Sequence, residues 1–339
     1  MELYAGLDLH SRNTYIGIMD DAFNRVFKKR VANDLDQILH TLKPFKKRLK
    51  GFVVESTYNW YWLVDGLVDA GYGTAHLANP SAIKQYEGLK YSDDQHDAFF
   101  LAKLLILGIL PEGYIYPKKD RGLRDLLRRR TMYVEQKTSH ILSLQSMISR
   151  SLGIKMPSNE IKKLKPGDAH DLFDDDNLAL MAKCNIETIA FLKTIIKQIE
   201  KVVKQKAKLR KEYEMLLTIT GIGIILALTI MFEVGDIGRF KKVGNYSSYC
   251  RCVNSNRLSN GKKKGENNKK NGNRHLAWAY VEAANFAVRY NAKAKRFYQR
   301  KKAKRNGVVA VKALSNKIAR ASYFILRDQV PFDENRLFS

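Results

Sequence analysis

Three strand-like runs stand end to end at the N-terminus, with room only for tight turns between them. Leu3–Asp8 is apolar and ends at an acid, Thr14–Met19 follows a turn at His10–Arg12, and Arg25–Val31 follows in turn. Three such runs in succession predict an antiparallel meander. Helical spacing then covers Leu35–Leu49, and Gly51–Glu55 (GFVVE) reads as a short buried strand that again ends at an acid. Trp60–Ala70 reads as a helix, His76–Ala78 as a brief strand, and Pro80 as a helix opener. Asp94–Leu107 is helical, with Ala98, Leu101, Ala102 and Leu105 on one face. The order βββ-α-β-α-β-α excludes a doubly wound Rossmann sheet, which lacks an antiparallel opening, and predicts an RNase H-like sheet.

Within that frame four acids stand at related places. Asp8 and Glu55 each close a strand, and Asp94 and Asp97 open a helix at i, i+3, on one face. Asp93 competes with Asp94, because i, i+4 also shares a face; His96 lies off that face. Any one of these acids is explained by a turn or by the dipole at a helix start. Taken together, at the edge of one sheet, they would repel unless a cation joined them. Oxygen-only ligands suit Mg²⁺, and two such ions clamp the attacking and leaving oxygens of a phosphoryl transfer.

The middle of the chain changes character. Arg121–Leu152 and Glu187–Leu217 are long, charged and helical, and Ile189, Leu192, Ile196, Ile199 and Val203 follow a heptad seam. Pro157–Asn177 between them is rich in Lys, Asp, Pro and Gly and reads as a loop or helix tip. An antiparallel coiled hairpin, a dimerising arm or a plain helix pair all satisfy this pattern. From Leu216 the sequence TITGIGIILALTIMFEVGDIGRF sets Gly221 and Gly223 before an apolar helix. That is the pattern of a helix-hairpin-helix, whose glycine turn exposes amides to a phosphate; a tight turn in a helical domain is the plainer reading. Arg239–His275 then holds eleven Lys or Arg against one acid, Glu266. Asn and Gly fill Asn254–Asn273, which predicts an irregular basic loop. The helix LAWAYVEAANFAVRYN follows, then a basic helix at Ala292–Arg305 and a further helix at Val308–Leu326.

Charge narrows the partner. Lysine and arginine number 60 against 34 acidic residues, a formal charge of +26 that far exceeds what solubility needs and implies a polyanion, nucleic acid first. A hydrophobic content of 45% excludes a disordered polycation. Three cysteines (Cys184, Cys250 and Cys252) give no closed disulfide framework, and Cys250-x-Cys252 lacks zinc-knuckle spacing. The latter two read as small buried residues. No signal peptide and no membrane-length apolar run is evident: the longest, Ile222–Val234, contains Glu233. A cytoplasmic, nucleoid-associated protein is the expectation.

The segments GLDLH, VVEST and SDDQHDAFFLAKLL resemble the three acidic motifs of the DEDD-type insertion-sequence transposases. These are bridge-RNA-guided recombinases, with the Piv invertases as relatives. TGIGIILALTIMFEVGDIGRF resembles the opening of that family's C-terminal transposase domain. SNGKKKG followed by KNGNRHLAWAYVEAANFA resembles its serine-bearing segment and the next helix. The resemblance spans essentially the full length, and its D-x-x-D-A pattern selects Asp94 over Asp93. It implies a RuvC-like N-terminal domain over 1–118, a helical coiled-coil arm over 119–214, and a mostly helical C-terminal transposase domain over 215–339.

The resemblance further implies a catalytic serine at Ser259, with Ser255 as runner-up, and a Mg²⁺ site of Asp8, Glu55, Asp94 and Asp97. Partners would be donor and target DNA, a structured non-coding RNA that chooses the sites, and further copies of the chain in a dimer or tetramer. The loop is richer in lysine and asparagine than the family pattern. Ser259 Oγ would attack a phosphodiester, leaving a phosphoserine and a free sugar hydroxyl, so that strands rejoin without ATP. A serine hydroxyl needs activation for this, which the acidic site would supply. Lys262, Lys263 and Lys264 would stabilise the pentavalent charge or simply grip the flanking phosphate. Lys269, Lys270 and Arg274, with Gly221 and Gly223, complete the expected nucleic-acid contacts. Asn271, Gly272 and Asn273 would cap the following helix. Arg128, Arg129, Arg130, Lys301, Lys302 and Lys304 suit nucleic-acid backbones or solvated faces. Two other functions share part of this pattern: a junction-resolving nuclease using metal-activated water, which needs the acids but not Ser259, and a non-catalytic nucleic-acid-binding protein, which needs neither.

Overall fold

A computed structural model of the protein describes residues 1–83, 94–207, 210–253, 256–266 and 271–338. The chain forms two compact units, Met1–Lys118 and Lys119–Ser339. No helix among the described residues is long and apolar enough to cross a membrane.

The first unit opens with the expected meander: β1 (Leu3–Leu9), β2 (Asn13–Asp20) and β3 (Arg25–Ala32). Then come α1 (Leu35–Leu42), β4 (Leu49–Glu55), α2 (Tyr61–Asp69), β5 (Thr74–Ala78), α3 (Pro80–Ile83) and α4 (Asp94–Ile106). The sheet order is β3-β2-β1-β4-β5, antiparallel through β1–β2–β3 and parallel through β1–β4–β5. This is the mixed sheet of an RNase H-like domain. Alternation along the strands splits the core between two faces. Leu3, Leu7, Phe52 and Val54 pack with Ile38, Leu63 and Leu67 of α1 and α2. On the opposite face Val53 packs with Leu101 and Leu104 of α4, and Met19 with Phe99 and Ala102. The helix expected over Leu35–Leu49 stops early. Pro44 turns the chain through a 3₁₀ segment at Lys43–Phe45, so β4 begins at Leu49.

The second unit starts with α5 (Lys118–Leu152), followed by α6 (Ser158–Ile161), α7 (Asp168–Leu172) and α8 (Asp176–Ala207). The stretch expected as a loop over Pro157–Asn177 therefore holds two short helices. Its Ile161, Ala169 and Phe173 join a core cluster with Leu144 and Ile148 of α5 and Ala182 and Ile186 of α8. The second long helix begins at Asp176 rather than Glu187 and ends at Ala207, with a separate α9 at Lys211–Leu217. The two long helices run antiparallel: His140 meets Asn185 at 2.9 Å, while Arg130, ten residues earlier, meets Glu200 at 2.6 and 2.8 Å. The seam residues Ile189, Leu192, Ile196, Ile199 and Val203 are all buried within the chain. Ile199 and Val203 belong to the large cluster of the C-terminal helices.

Those helices are α10 (Ile224–Val234), α11 (Val243–Tyr249), α12 (Arg274–Tyr290), α13 (Ala292–Lys304), α14 (Gly307–Asp328) and α15 (Glu334–Phe338). Between α11 and α12 the expected irregular loop contains a hairpin, β6 (Asn256–Ser259) paired antiparallel with β7 (Lys262–Glu266). Gly221 adopts φ +96°, and a Cβ there would lie 2.3 Å from the carbonyl oxygen of Ala283 in α12. Its glycine is thus explained by close packing of the turn on α12, whereas Gly223, at the start of α10, is exposed.

Candidate catalytic and nucleic-acid-binding sites

Sheet register brings two of the four predicted acids side by side. β1 and β4 are parallel neighbours with Leu7 beside Val54, so Asp8 and Glu55 are the next residues on adjacent strands, at the same end of both. Adjacent strands lie about 4.8 Å apart. Asp8 is buried at 6% exposure and contacts His10 Nε2 through Oδ2 at 3.0 Å. The chain beyond β1 is pinned, because Asn33 and Asn59 both donate side-chain N–H groups to the His10 carbonyl, at 2.9 and 3.1 Å. Asn59 follows β4, so this bond ties the segments leaving the two acid-bearing strands.

The other two acids sit on α4, held against the sheet by two glycines. Gly6 of β1 pairs with Gly17 of β2, and α4 lies on this bare patch. A Cβ on Gly6 would be 1.9 Å from the Ala98 carbonyl oxygen, and one on Gly17 would be 3.0 Å from the Phe99 ring. Met19, opposite Tyr4 at the start of β1, packs with Phe99 and Ala102 and, further along, Ile106. The helix therefore runs antiparallel to β1 and points its N-terminal turn, with Asp94 and Asp97, toward the Asp8 end. Asp97 is half-buried. The Asp94 side chain, and all of Asp93, lie outside the described residues. Among the described residues no three Asp, Glu, His or Cys side chains form a cluster able to hold a metal ion. The four predicted acids would offer carboxylate oxygens alone, which suit a hard divalent cation.

Asp20 shows what a structural acid looks like in the same unit. It closes β2, is 1% exposed, and its carboxylate accepts from the N–H groups of Ala22 and Asn24 and from the Asn24 side chain. Burial pushes its carboxyl up, but these bonds hold it below its ordinary value.

Ser259 ends β6, at the tip of the hairpin. Asn260 and Gly261 form the turn with φ of +50° and +72°, the pair of positive values that a two-residue type I′ turn requires. Ser259 is exposed and lies directly across from Lys262, which is also exposed. Directly opposed residues project from the same face of a hairpin. Leu258 pairs with Lys263 and Arg257 with Gly265, which leaves Lys264 as the extra residue of a bulge. Ser255, Lys269 and Lys270 lie outside the described residues.

The root of this hairpin carries a network missed by reading motifs alone. Glu233, in the apolar α10, is 3% exposed and receives Arg128 Nε and a terminal guanidinium nitrogen at 2.6 and 2.8 Å. Asn273 Nδ2 donates to the same carboxylate at 2.7 Å, while Asn273 Oδ1 accepts from His275 and Leu276 N–H and so caps α12. Burial pushes the Glu233 carboxyl up, but Arg128 and Asn273 together hold it below its ordinary value. Arg128 and Arg130, expected to meet nucleic-acid backbones or to lie on solvated faces, are engaged with Glu233 and Glu200; Arg274 is exposed. The one signal in the sequence was Glu233 itself, a lone acid in an apolar helix.

Two family models match the chain, in the order the two units suggest. A DEDD-type IS110 transposase model matches residues 5–151, and the model described as Transposase IS116/IS110/IS902 family matches residues 213–299. The chain carries transposase domains of the IS110/IS116/IS902 family. No curated protein matches it. In these transposase domains the first match holds all four acids, and the second holds Ser259, Glu233 and Asn273. Together they support an IS110-family transposase, a DNA-processing enzyme; domains of the DEDD type typically depend on a divalent metal.

Proposed function

We propose that the protein is an insertion-sequence recombinase that cuts and rejoins DNA through a phosphoserine at Ser259. The observation that carries this reading is the register of Asp8 beside Glu55, with the acidic first turn of α4 directed to the same sheet edge. Asp8, Glu55, Asp94 and Asp97 would hold Mg²⁺. Bound there, the ion supplies Lewis acidity toward a phosphate oxygen and lowers the cost of an alkoxide. Ser259 Oγ forms a bond to phosphorus while the bond from phosphorus to a sugar oxygen breaks. The net proton passes from the serine to the departing sugar hydroxyl, and the phosphoserine keeps the linkage ready for a new strand.

The hairpin supports this role for Ser259. A tip closed by a type I′ turn presents the serine at the end of a paired two-stranded stem, and Lys262 across from it brings a cation to the same face. Lys262 is therefore assigned to the phosphate being attacked, and Lys264, Lys269, Lys270, Arg274 and Gly223 to the flanking backbone. The charge of +26 supports polyanionic partners, here donor and target DNA and an element-encoded RNA that chooses the sites. Action as a dimer or tetramer and a cytoplasmic, nucleoid-associated location complete the proposal and rest on the family resemblance.

Trapping tests the reading. Donor DNA is incubated with the protein and Mg²⁺, the reaction is quenched in denaturant, and any DNA–protein adduct is mapped by mass spectrometry. An adduct at Ser259 that disappears in Ser259→Ala and Asp8→Ala is the expected result. Metal-dependent cleavage that leaves no adduct, and that persists in Ser259→Ala, would show a nuclease using activated water instead.

A further inference from the structure

A cleft of about 780 Å³ opens at the root of the serine hairpin. Its walls come from the residues just before the hairpin, Tyr249 and Arg251, those just after, Gly272 to His275 with Trp278, and one face of α5. The volume is that of a site for a small organic group, within the usual range of ligand pockets.

The walls are fixed independently of any ligand. Asn273 N–H donates to the Tyr249 carbonyl at 2.6 Å, and the Arg251 guanidinium donates to the carbonyls of Asn271 and Gly272, each at 3.0 Å. The two ends of the serine-bearing segment are therefore clasped together. Gly272 has φ +87°, and a Cβ there would lie 2.5 Å from the Tyr249 carbonyl oxygen, so only glycine permits the clasp. The first amides of α12 are already capped by Asn273, and so the helix terminus is not what the cleft offers. What it offers is side chains. Arg129 and Arg274 are exposed at its edge, Trp278 is half-buried in its wall, and His275 beside them is held neutral-leaning, chiefly by burial. Asp125 and Glu135 also line it, which disfavours simple accumulation of anions and leaves hydrogen-bond acceptors for a base edge.

A flat ring beside guanidinium groups is the combination that receives a nucleotide taken out of a duplex: the base stacks and the phosphate meets arginine. The geometry points to a site for one unpaired nucleotide, with its base against Trp278 and its phosphate on Arg274 and Arg129; the Tyr249 ring, already covered by Arg239 and Phe240, only bounds the cleft. This deepens the recombinase reading and rests on it for the strand's identity. It places a single-stranded nucleotide next to the stem that presents Ser259.

The test is binding, without catalysis. Ser259→Ala protein is titrated with fluorescein-labelled 12-nucleotide single strands of DNA and of RNA and with a DNA duplex of equal length. Trp278→Ala in that background is expected to weaken single-strand binding about tenfold, with Trp278→Phe near the parent and duplex binding unchanged. A preference for DNA or for RNA then assigns the source of the nucleotide. Photocrosslinking of an iodouracil-substituted strand, mapped by mass spectrometry, is expected to mark Trp278. Equal losses for duplex and single strand, or crosslinks elsewhere only, would overturn the site. Because Ser259→Ala is the parent, failure of the nucleotide site and failure of the serine mechanism are read separately.

Discussion

Arg128 holds the buried carboxylate of Glu233 by two hydrogen bonds, at 2.6 and 2.8 Å, across 105 residues of sequence. The pair links α5 to α10, and through Asn273 it reaches the cap of α12. Removing one partner strands a buried charge. Arg128→Ala is therefore expected to lower unfolding free energy by about 3–5 kcal/mol, read by urea denaturation. Replacing the pair with Arg128→Met and Glu233→Leu should recover part of that. It takes from the Asn273 amide its carboxylate acceptor and leaves only the long 3.5 Å bond to the Tyr249 hydroxyl, a residual cost of about 1–3 kcal/mol.

The same carboxylate sets an acid limit. Burial alone would raise its pKa, but Arg128 and Asn273 hold it below the ordinary 4.5. A depressed folded-state value means the contribution to stability is complete above the unfolded value. It is lost as pH falls from there through the lower folded value. Urea midpoints measured from pH 6 down to pH 3 should fall more steeply for the parent protein than for Glu233→Gln over the range below 4.5.

Much of the first unit was legible because its signals are local. Strand runs, turn lengths and terminal acids are adjacent in sequence, and sheet register needs only that order. The glycines that seat α4 were harder. Gly6 and Gly17 look like weak points in strands until they are seen paired beneath a helix, although an interior strand glycine is itself a sign of close backbone approach. Asn260-Gly261 was a readable hairpin signal hidden in a lysine-rich, asparagine-rich stretch whose composition suggested irregularity. Arg128 looked like a solvated cation because its partner is 105 residues away. No spacing rule connects such a pair.

Thiol reactivity should separate the three cysteines. Cys184 is exposed, while Cys250 and Cys252 are buried. Burial pushes the Cys250 thiol well up and that of Cys252 to about 12, and a protonated thiol is a poor nucleophile. Ellman's reagent under native conditions is expected to titrate one thiol quickly, at Cys184, and all three only after denaturation. Rapid modification of two or more in the native protein would contradict the burial.

The turn that presents Ser259 depends on residues tolerant of positive φ. Gly261 sits at +72°, and a β-branched residue there meets its own carbonyl, at a cost of about 1–2 kcal/mol or more. Gly261→Val should open the hairpin tip and reduce Ser259–DNA adduct formation at least about tenfold, while circular dichroism and melting of the helical unit stay unchanged. Asn260→Gly keeps the required backbone and should retain adduct formation.

The seat of α4 gives the sharpest test of how the acids are assembled. A methyl group on Gly6 would fall 1.9 Å from the Ala98 carbonyl oxygen, a backbone atom that can yield only if the whole helix moves. On Gly17 it would fall 3.0 Å from the Phe99 ring, a side chain with some freedom to turn. Gly6→Ala is therefore expected to cost about 3 kcal/mol and Gly17→Ala about 1 kcal/mol, measured by denaturant unfolding. The helix displaced by Gly6→Ala carries Asp94 and Asp97 in its first turn. If those acids act with Asp8 and Glu55, Mg²⁺ should protect the parent protein against unfolding and fail to protect Gly6→Ala, even below the denaturant concentration that unfolds the variant. Equal protection of both would mean the cation binds elsewhere.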